Sequence, residues 1–300
     1  MKIFITGGTG FVGTHVVKAL KKQGHSLLLL SRNKGYKDTS AIKYLNGNLS
    51  KTKDWQDGFL RFKPDVVIHL AWEGLPDHHA NISKNNLEWS LNLVQLATKT
   101  KCQLFMAIGS GWEYGVQQGK LSENTTSVPF DAYTAAKHSL NWLGWEIAKE
   151  NGMDFVWMRL FFVYGPGQRL LALIPSLLAS IKAGKKPEIR NPNAKNDFVY
   201  VEDVAEAIAL AVKKCFPRKG ADPKHCVYNV GSGKLTGVID IVKYICLKYN
   251  LKINYKKTAK QPQDKITTSY ADITKIRKEI GWRPKTSIQE GITLTIKDFI

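Results

Sequence analysis

The sequence predicts an α/β fold, a doubly wound parallel sheet followed by a smaller α+β lobe. Three observations carry this. A short apolar run, Lys2-Ile3-Phe4-Ile5-Thr6, leads directly into the glycine-rich stretch Gly7-Gly8-Thr9-Gly10-Phe11-Val12-Gly13. Apolar runs of strand length then alternate with helical periodicity to about residue 165, the order that builds a parallel sheet covered on both faces. Beyond Gly165 the order becomes mixed and the strands shorten.

Residues 2–6 read as a buried strand. From Thr14 to Gln23 the pattern is helical, with Val16, Val17 and Leu20 apolar, and Gly24 is a good stop. Leu27-Leu28-Leu29-Leu30 is a second buried strand. Strand, glycine turn, helix and strand within about thirty residues is the context in which such a turn reads as a dinucleotide site. The glycines fit two spacings, Gly8-x-Gly10-x-x-Gly13 and Gly7-x-x-Gly10-x-x-Gly13. Glycine lets the backbone approach a pyrophosphate, and the helix start offers free N–H groups at its positive end. The fold is therefore Rossmann-like.

Further strands are expected at 66–71, 101–110 and 154–159, with long helices at 85–100 and 133–150. A helix at 171–184, a short strand at 197–201 and a helix at 204–214 follow. Residues 215–224 hold two prolines and a glycine and read as a loop. Short strands are expected at 227–230 and 253–256, and a helix at 239–249. The division is residues 1–165, with 194–215 returning to them, against a discontinuous lobe in 166–300. The second lobe should cap the cleft and select substrate, since ligands in such folds sit beyond the carboxyl ends of the strands.

Two groups of side chains suggest chemistry. Leu30-Ser31-Arg32 ends the second strand without the carboxylate that would bind a ribose 2′-hydroxyl, and arginine suits a 2′-phosphate. NADP(H) is thus the preferred cofactor, with NAD(H) possible. Tyr133 and Lys137 stand at i and i+4, on one helical face. An ammonium beside a phenol would bring its pKa of about 10 toward the working range. Ser110 could then hydrogen-bond a carbonyl or alkoxide.

Together these segments resemble the extended short-chain dehydrogenase/reductase family, the NAD(P)-dependent sugar-nucleotide epimerases, dehydratases and reductases. Thr6-Gly7-Gly8-Thr9-Gly10-Phe11-Val12-Gly13 matches its cofactor turn. Gly47-Asn48-Leu49 resembles the adenine segment, with Asn48 where Asp is usual. Val66-Val67-Ile68-His69-Leu70-Ala71 resembles the strand under the nicotinamide ribose. Ile108-Gly109-Ser110-Gly111-Trp112-Glu113-Tyr114-Gly115 and Tyr133-Thr134-Ala135-Ala136-Lys137 match the catalytic segments. Similar landmarks continue at 159–167, 196–204, 228–233 and 281–284, so the likeness spans nearly the whole chain. It implies Ser110, Tyr133 and Lys137 as catalytic residues. It implies a cofactor site from Gly7, Thr9, Gly10, Phe11, Val12, Gly13, Ser31, Arg32, Asn48, Leu49, Leu70, Ala71 and Phe161, with Tyr133 and Lys137. Tyrosine would exchange a proton with the substrate, lysine would lower its pKa and hold the ribose, and serine would orient the carbonyl oxygen.

The family supports several reactions, so fold does not choose among them. Dehydratases place Asp-Glu directly after the serine or threonine. Here stand Gly111 and Trp112, which cannot transfer protons, and Glu113 should point elsewhere. A 4-epimerase would favour an acid near residue 31. A 4-ketoreductase would use NADPH, and the runs 70–76 and 111–115 are similar to NDP-4-keto-6-deoxyhexose reductases, such as CDP-abequose or CDP-paratose synthases. The preferred expectation is therefore an NADP(H)-dependent reductase of an NDP-4-keto-6-deoxy sugar, the alternative an NAD-dependent sugar-nucleotide 4-epimerase. A non-catalytic dinucleotide-binding regulator fits less well, because Ser110, Tyr133 and Lys137 are all present. Trp72 and Trp112 are candidate walls of the sugar site, or ordinary core aromatics. Phe162 and Asn196 replace an Asn and an Arg that contact the diphosphate in many relatives. Arg169, Lys195, Lys260 and Lys265 are candidate replacements.

Three hundred residues with 43% hydrophobic content can bury a sizeable core. No apolar run reaches the ~18 residues of a membrane span, and no signal peptide is visible. Cys102, Cys215, Cys226 and Cys246 lack metal-ligand spacing and read as buried free thiols of a cytoplasmic protein. His78-His79 lacks a third ligand nearby, so no metal is expected, and His69 reads as packed. The formal charge of +19 is spread as lysine along the chain. It suits steering of anionic ligands, an anionic membrane surface, or simple solvation. No nucleic-acid motif accompanies it. The resemblance implies a homodimer through the helices at 85–100 and 133–150. Leu87, Leu91, Val94, Leu140, Leu143 and Ile147 could supply its apolar surface, although packing within the chain gives the same pattern.

Overall fold

Strands apolar on both faces build a seven-stranded sheet, seen in a computed structural model that describes residues 1–189, 191–216, 221–251, 255–257 and 268–299. The sheet strands, labelled in chain order, are β1 (Lys2–Thr6), β2 (Ser26–Ser31), β3 (Ile42–Asn46), β4 (Val66–His69), β5 (Leu104–Ser110), β6 (Asp154–Leu160) and β7 (His225–Val230). All pair in parallel, in the order β7-β6-β5-β4-β1-β2-β3. Alternate residues of β1 explain the double covering. Ile3 and Ile5 join one core and Phe4 the other, all fully buried.

Helices α1 (Phe11–Lys22), α2 (Gln56–Phe62), α3 (Ala80–Thr98) and α4 (Ala132–Glu150) alternate with the strands. Val16, Val17 and Leu20 of α1 bury against one face of the sheet, while α2, α3 and α4 cover the other. The helix α3 starts at Ala80, five residues before the expected start at 85. Its early turns carry Asn, Ser and Lys and so hide the apolar period. Asp131 caps α4, accepting from the Thr134 N–H at 2.8 Å in a reciprocal capping box.

The later helices are α5 (Leu173–Lys182), α6 (Val201–Cys215), α7 (Val238–Lys248), α8 (Thr274–Glu279) and α9 (Ile288–Phe299). The alanine- and valine-rich face of α6 packs on α1. Ile174, Leu177, Val238, Ile241, Ile292 and Ile296 of α5, α7 and α9 form a separate core with Tyr164, Phe198 and Tyr200. The last three lie on short strands, Phe162–Tyr164 and Phe198–Tyr200, paired in parallel.

One strand is not where the sequence suggests. Residues 227–230 read as part of the second lobe, yet β7 is the edge strand of the central sheet, in register with β6 from His225↔Phe155 to Val230↔Leu160. Its sequence His-Cys-Val-Tyr-Asn-Val looks too polar for that sheet. Tertiary partners satisfy the polar groups. Asn229 donates to the Leu121 carbonyl and accepts from the Tyr114 hydroxyl, and Tyr228 donates to Glu279. Of the strand expected at 253–256, residues 253 and 254 lie outside the described residues, as do Lys260 and Lys265.

Candidate active site

The glycine turn joins β1 to α1 at the floor of a cleft of about 660 Å³. Its sequence allows little substitution. A Cβ on Gly7, at φ 71°, would lie 2.6 Å from the Ala71 backbone nitrogen, and one on Gly13 would run into the Gly7 carbonyl. These contacts bring β1, β4 and α1 together closely enough to leave the cleft open. Gly10 is the N-cap of α1, with no side-chain cap and no acid in the first turn. The first N–H groups of α1 are therefore free of intrahelical partners, and the positive end of the helix faces the cleft. Trp72 Nε1 and Gln168 Oε1, both from residues lining the cleft, are buried without a protein partner. These features fit a bound dinucleotide.

Nearly every expected cofactor residue lines this one cleft: Gly7, Thr9, Gly10, Phe11, Val12, Gly13, Ser31, Arg32, Asn48, Leu49, Leu70, Ala71 and Phe161, with Ser110 and Tyr133 at its inner end. Trp72 and Arg169 line it too. Trp112 and Phe162 do not. They wall a smaller pocket beside it with Gly111, Gly115, Phe130 and Phe161. Lys137 sits behind the cleft wall, 5% exposed.

Ser110 and Tyr133 line the same cleft, the Ser110 hydroxyl near enough to favour the ionised phenol and accepting from the Trp112 N–H at 3.2 Å. Burial, with the carboxylate of Glu113 close by, pushes the Tyr133 phenol above the ordinary tyrosine range; the Ser110 hydroxyl and Arg169 pull it back only in part. This corrects the expectation that Lys137 brings the phenol down. The i, i+4 spacing does put both on one face of α4. Lys137 Nζ, however, donates to the Ile108 carbonyl at 2.7 Å and lies 4.0 Å over the Trp72 ring. Burial pushes the Lys137 ammonium itself down to about 7, against the pull of Glu113. In this state Tyr133 is a neutral phenol.

Aromatic contacts hold the phenol. Trp72 meets it edge-on at 5.5 Å, and His78 stacks on it at 4.5 Å. The His78 ring is tied through Nδ1 to Asp131 at 2.8 Å. His69 is packed as expected, between the Thr6 hydroxyl at 2.7 Å and the Ser90 hydroxyl at 2.8 Å, and burial pushes it down to about 3. Among the described residues no helix is long and apolar enough to cross a membrane.

Glu113 does point elsewhere. It is fully buried, accepts from the Ser110 N–H at 2.7 Å, and pairs with Arg159 Nε at 3.3 Å. It supports the Ser110 backbone rather than reaching the cleft. Arg159 also donates to the Tyr114 hydroxyl and to Ser127. A signal for this pair existed: an arginine inside the apolar run Phe155-Val156-Trp157-Met158-Arg159-Leu160 demands a buried carboxylate.

Sequence reasoning missed Glu73 and Asn86, which line the cleft, and His78 as a neighbour of Tyr133. Arg32 Nη1 donates to Glu73 Oε1 at 2.9 Å, so the arginine expected to be free for a 2′-phosphate is already paired.

A family model described as "NAD dependent epimerase/dehydratase family" matches residues 3–231. The chain belongs to the NAD dependent epimerase/dehydratase family. Relatives within it are similar over nearly their full length. Protein CapI of Staphylococcus aureus is 27% identical, over 97% of this chain and 96% of its own. The bifunctional UDP-glucose 4-epimerase and UDP-xylose 4-epimerase 1 of Pisum sativum is 26% identical, over 96% and 93%. The UDP-glucose 4-epimerase of Thermotoga maritima, solved with UDP-glucose, superimposes with a TM-score of 0.88 at 25% identity, covering 100% of this chain and 98% of that one. The UDP-glucose 4-epimerase of Thermus thermophilus, solved with NAD, superimposes with a TM-score of 0.86 at 23% identity, covering 100% and 99%. The parallel sheet and covering helices described above are the fold of these family members.

Proposed function

We propose that this chain is an NAD(H)-dependent 4-epimerase of a nucleotide sugar. The observation that carries the reading is that Ser110 and Tyr133 line the same cleft as the glycine turn of Gly7, Gly10 and Gly13. The 4-epimerases among its relatives support it, and so does the lack of proton-transferring side chains at Gly111 and Trp112. The substrate would be a UDP-sugar by the same likeness.

Gly7, Gly10 and Gly13 would admit the pyrophosphate to the start of α1, and Asn48 and Leu49 would border the adenosine end. When bound, the nicotinamide supplies the hydride acceptor and donor. Tyr133 would take up the sugar O4 proton as that carbon is oxidised and return it on reduction, which requires ligand binding to bring the phenol down from its cofactor-free state; Ser110 would orient that oxygen, and Lys137 would leave the Ile108 carbonyl to hold the ribose. Arg169, exposed at the mouth, is the candidate cation for the diphosphate, with Trp72, Trp112 and Phe162 as apolar walls. We further infer a homodimer, although Val94 and Leu140 bury inside the chain and leave Leu143, 50% exposed, and Trp142, 52% exposed, as the apolar surface of α4.

A second reading is an NADP(H)-dependent reductase of an NDP-4-keto-6-deoxy sugar. The observation in its favour is Ser31-Arg32 at the end of β2, where a carboxylate is absent. Native mass spectrometry of gently purified protein separates the two. Co-purified NAD(H) that resists exchange, with interconversion of UDP-glucose or a related UDP-sugar, is expected for the epimerase. An empty protein that binds NADPH much more tightly than NADH would mark the reductase. In either case Tyr133→Phe should lose activity by about 10²–10⁴-fold and keep dinucleotide binding. Retained turnover in that variant would remove Tyr133 from the mechanism.

A further inference from the structure

The absent carboxylate at the end of β2 is replaced from another strand. Glu73 follows β4, and in the sheet β4 and β2 flank β1, whose end carries the glycine turn. The Arg32–Glu73 ion pair, 2.9 Å long, therefore reaches across the end of β1, and both residues line the cleft. Glu73 is held in place rather than met by chance. Its N–H donates to Asn86 Oδ1 at 2.7 Å, and its carbonyl accepts from Asn86 Nδ2 at 3.0 Å. Asn86 is 1% exposed, so it is an anchored clamp. Neighbouring groups at β2 are already occupied. Asn33 N–H donates to the Ser31 hydroxyl, and Asn46 Nδ2 donates to the Arg32 carbonyl.

We propose that Glu73 selects NAD(H) over NADP(H), by pairing with Arg32 and keeping a carboxylate beside the end of β2. Cofactor 2′-groups are read from that strand end in such folds. A 2′-phosphate would have to take Arg32 from its partner and accept a like charge next to it. A 2′-hydroxyl meets neither obstacle and can donate to the carboxylate. The pair is half-exposed, 68% for Arg32 and 39% for Glu73, so it contributes little to folding and its effect falls on the ligand. The inference rests on the dinucleotide reading of the cleft.

Calorimetric titration of the full chain, stripped of any co-purified dinucleotide, with NAD⁺ and NADP⁺ tests it. The wild type should prefer NAD⁺ by about tenfold or more, and Glu73→Gln should move the ratio toward NADP⁺ by at least about tenfold. Adding Arg32→Ala to Glu73→Gln should cancel that gain, since the freed guanidinium is what takes the phosphate. A wild type that prefers NADP⁺, or an unchanged ratio in Glu73→Gln with NAD⁺ binding intact, would overturn the proposal alone. Binding of neither dinucleotide to the wild type would overturn it together with the reading of the cleft.

Discussion

Lys137 shows how a single residue acts through its surroundings. A lysine four positions after a tyrosine suggests a cation poised beside a phenol. The folded environment instead withdraws the ammonium from water and sets it against the Ile108 carbonyl and the Trp72 face. Its pKa falls from 10.5 to about 7. Between about pH 7 and 10.5 the unfolded chain therefore holds a proton that the folded chain lacks. Stability from this group rises with pH across that window, and below pH 7 the burial cost is felt in full. Relative to wild type, the cofactor-free Lys137→Met protein should accordingly melt higher at pH 6 than at pH 10. The difference should shrink as pH rises, by roughly 2–4 °C for each kcal/mol of burial cost relieved in a chain of this order. Paired melting curves across pH check this, and a gap that does not vary with pH would mean that Lys137 keeps its charge.

At the level of elements, the turn between β1 and α1 couples local sequence to function most tightly. Gly13 is the place where helix and strand backbones meet, because its missing Cβ leaves room for the Gly7 carbonyl. Gly13→Ala should push α1 away from β1 and cost about 1–3 kcal/mol by overpacking. The same shift displaces the free N–H groups of α1, so dinucleotide affinity should fall by more than tenfold. Urea unfolding and NAD⁺ titration measure the two effects. Affinity lost without stability would place the glycine's role in ligand contact alone. The segment after β5 is tied down differently, by the buried Glu113–Arg159 pair. Such a pair often adds little net stability, but removing one partner strands a buried charge. It is better understood as the device that sets the Ser110 backbone than as a source of stability.

The whole molecule carries +19, yet several of its histidines are held neutral. Burial pushes His69 down to about 3 and His225 down to about 4. His225 stacks on Trp145 at 5.2 Å and binds Asn141 at 2.8 Å, tying β7 to α4. Below their unfolded value of 6.5 the unfolded chain takes up protons that the folded chain refuses, so stability is lost as pH falls toward 4. Added positive charge on an already cationic surface works in the same direction. The thermal midpoint should drop steadily from pH 7 to pH 4.5, and His225→Phe, which keeps the ring packing, should flatten part of that slope. An identical slope in the variant would assign the acid sensitivity to other groups.

The sequence by itself determined what depends on near neighbours. Glycines at fixed spacing between an apolar strand and a helix make a phosphate-admitting turn wherever they occur. The turn residues and the i, i+4 pair of α4 were legible for that reason, as were most of the strands buried on both faces. What only the tertiary structure decided involves partners far apart in the chain. Arg32 meets Glu73 across 41 residues, and Glu113 meets Arg159 across 46. Residues 225–230 become the edge strand because Leu121, Tyr114 and Glu279 satisfy their polar groups. The charge state of Lys137 and the pairing of Arg32 follow from such meetings. Burial and electrostatic interaction act on distance in space, and a linear pattern of residue types records that distance only where the chain is locally regular.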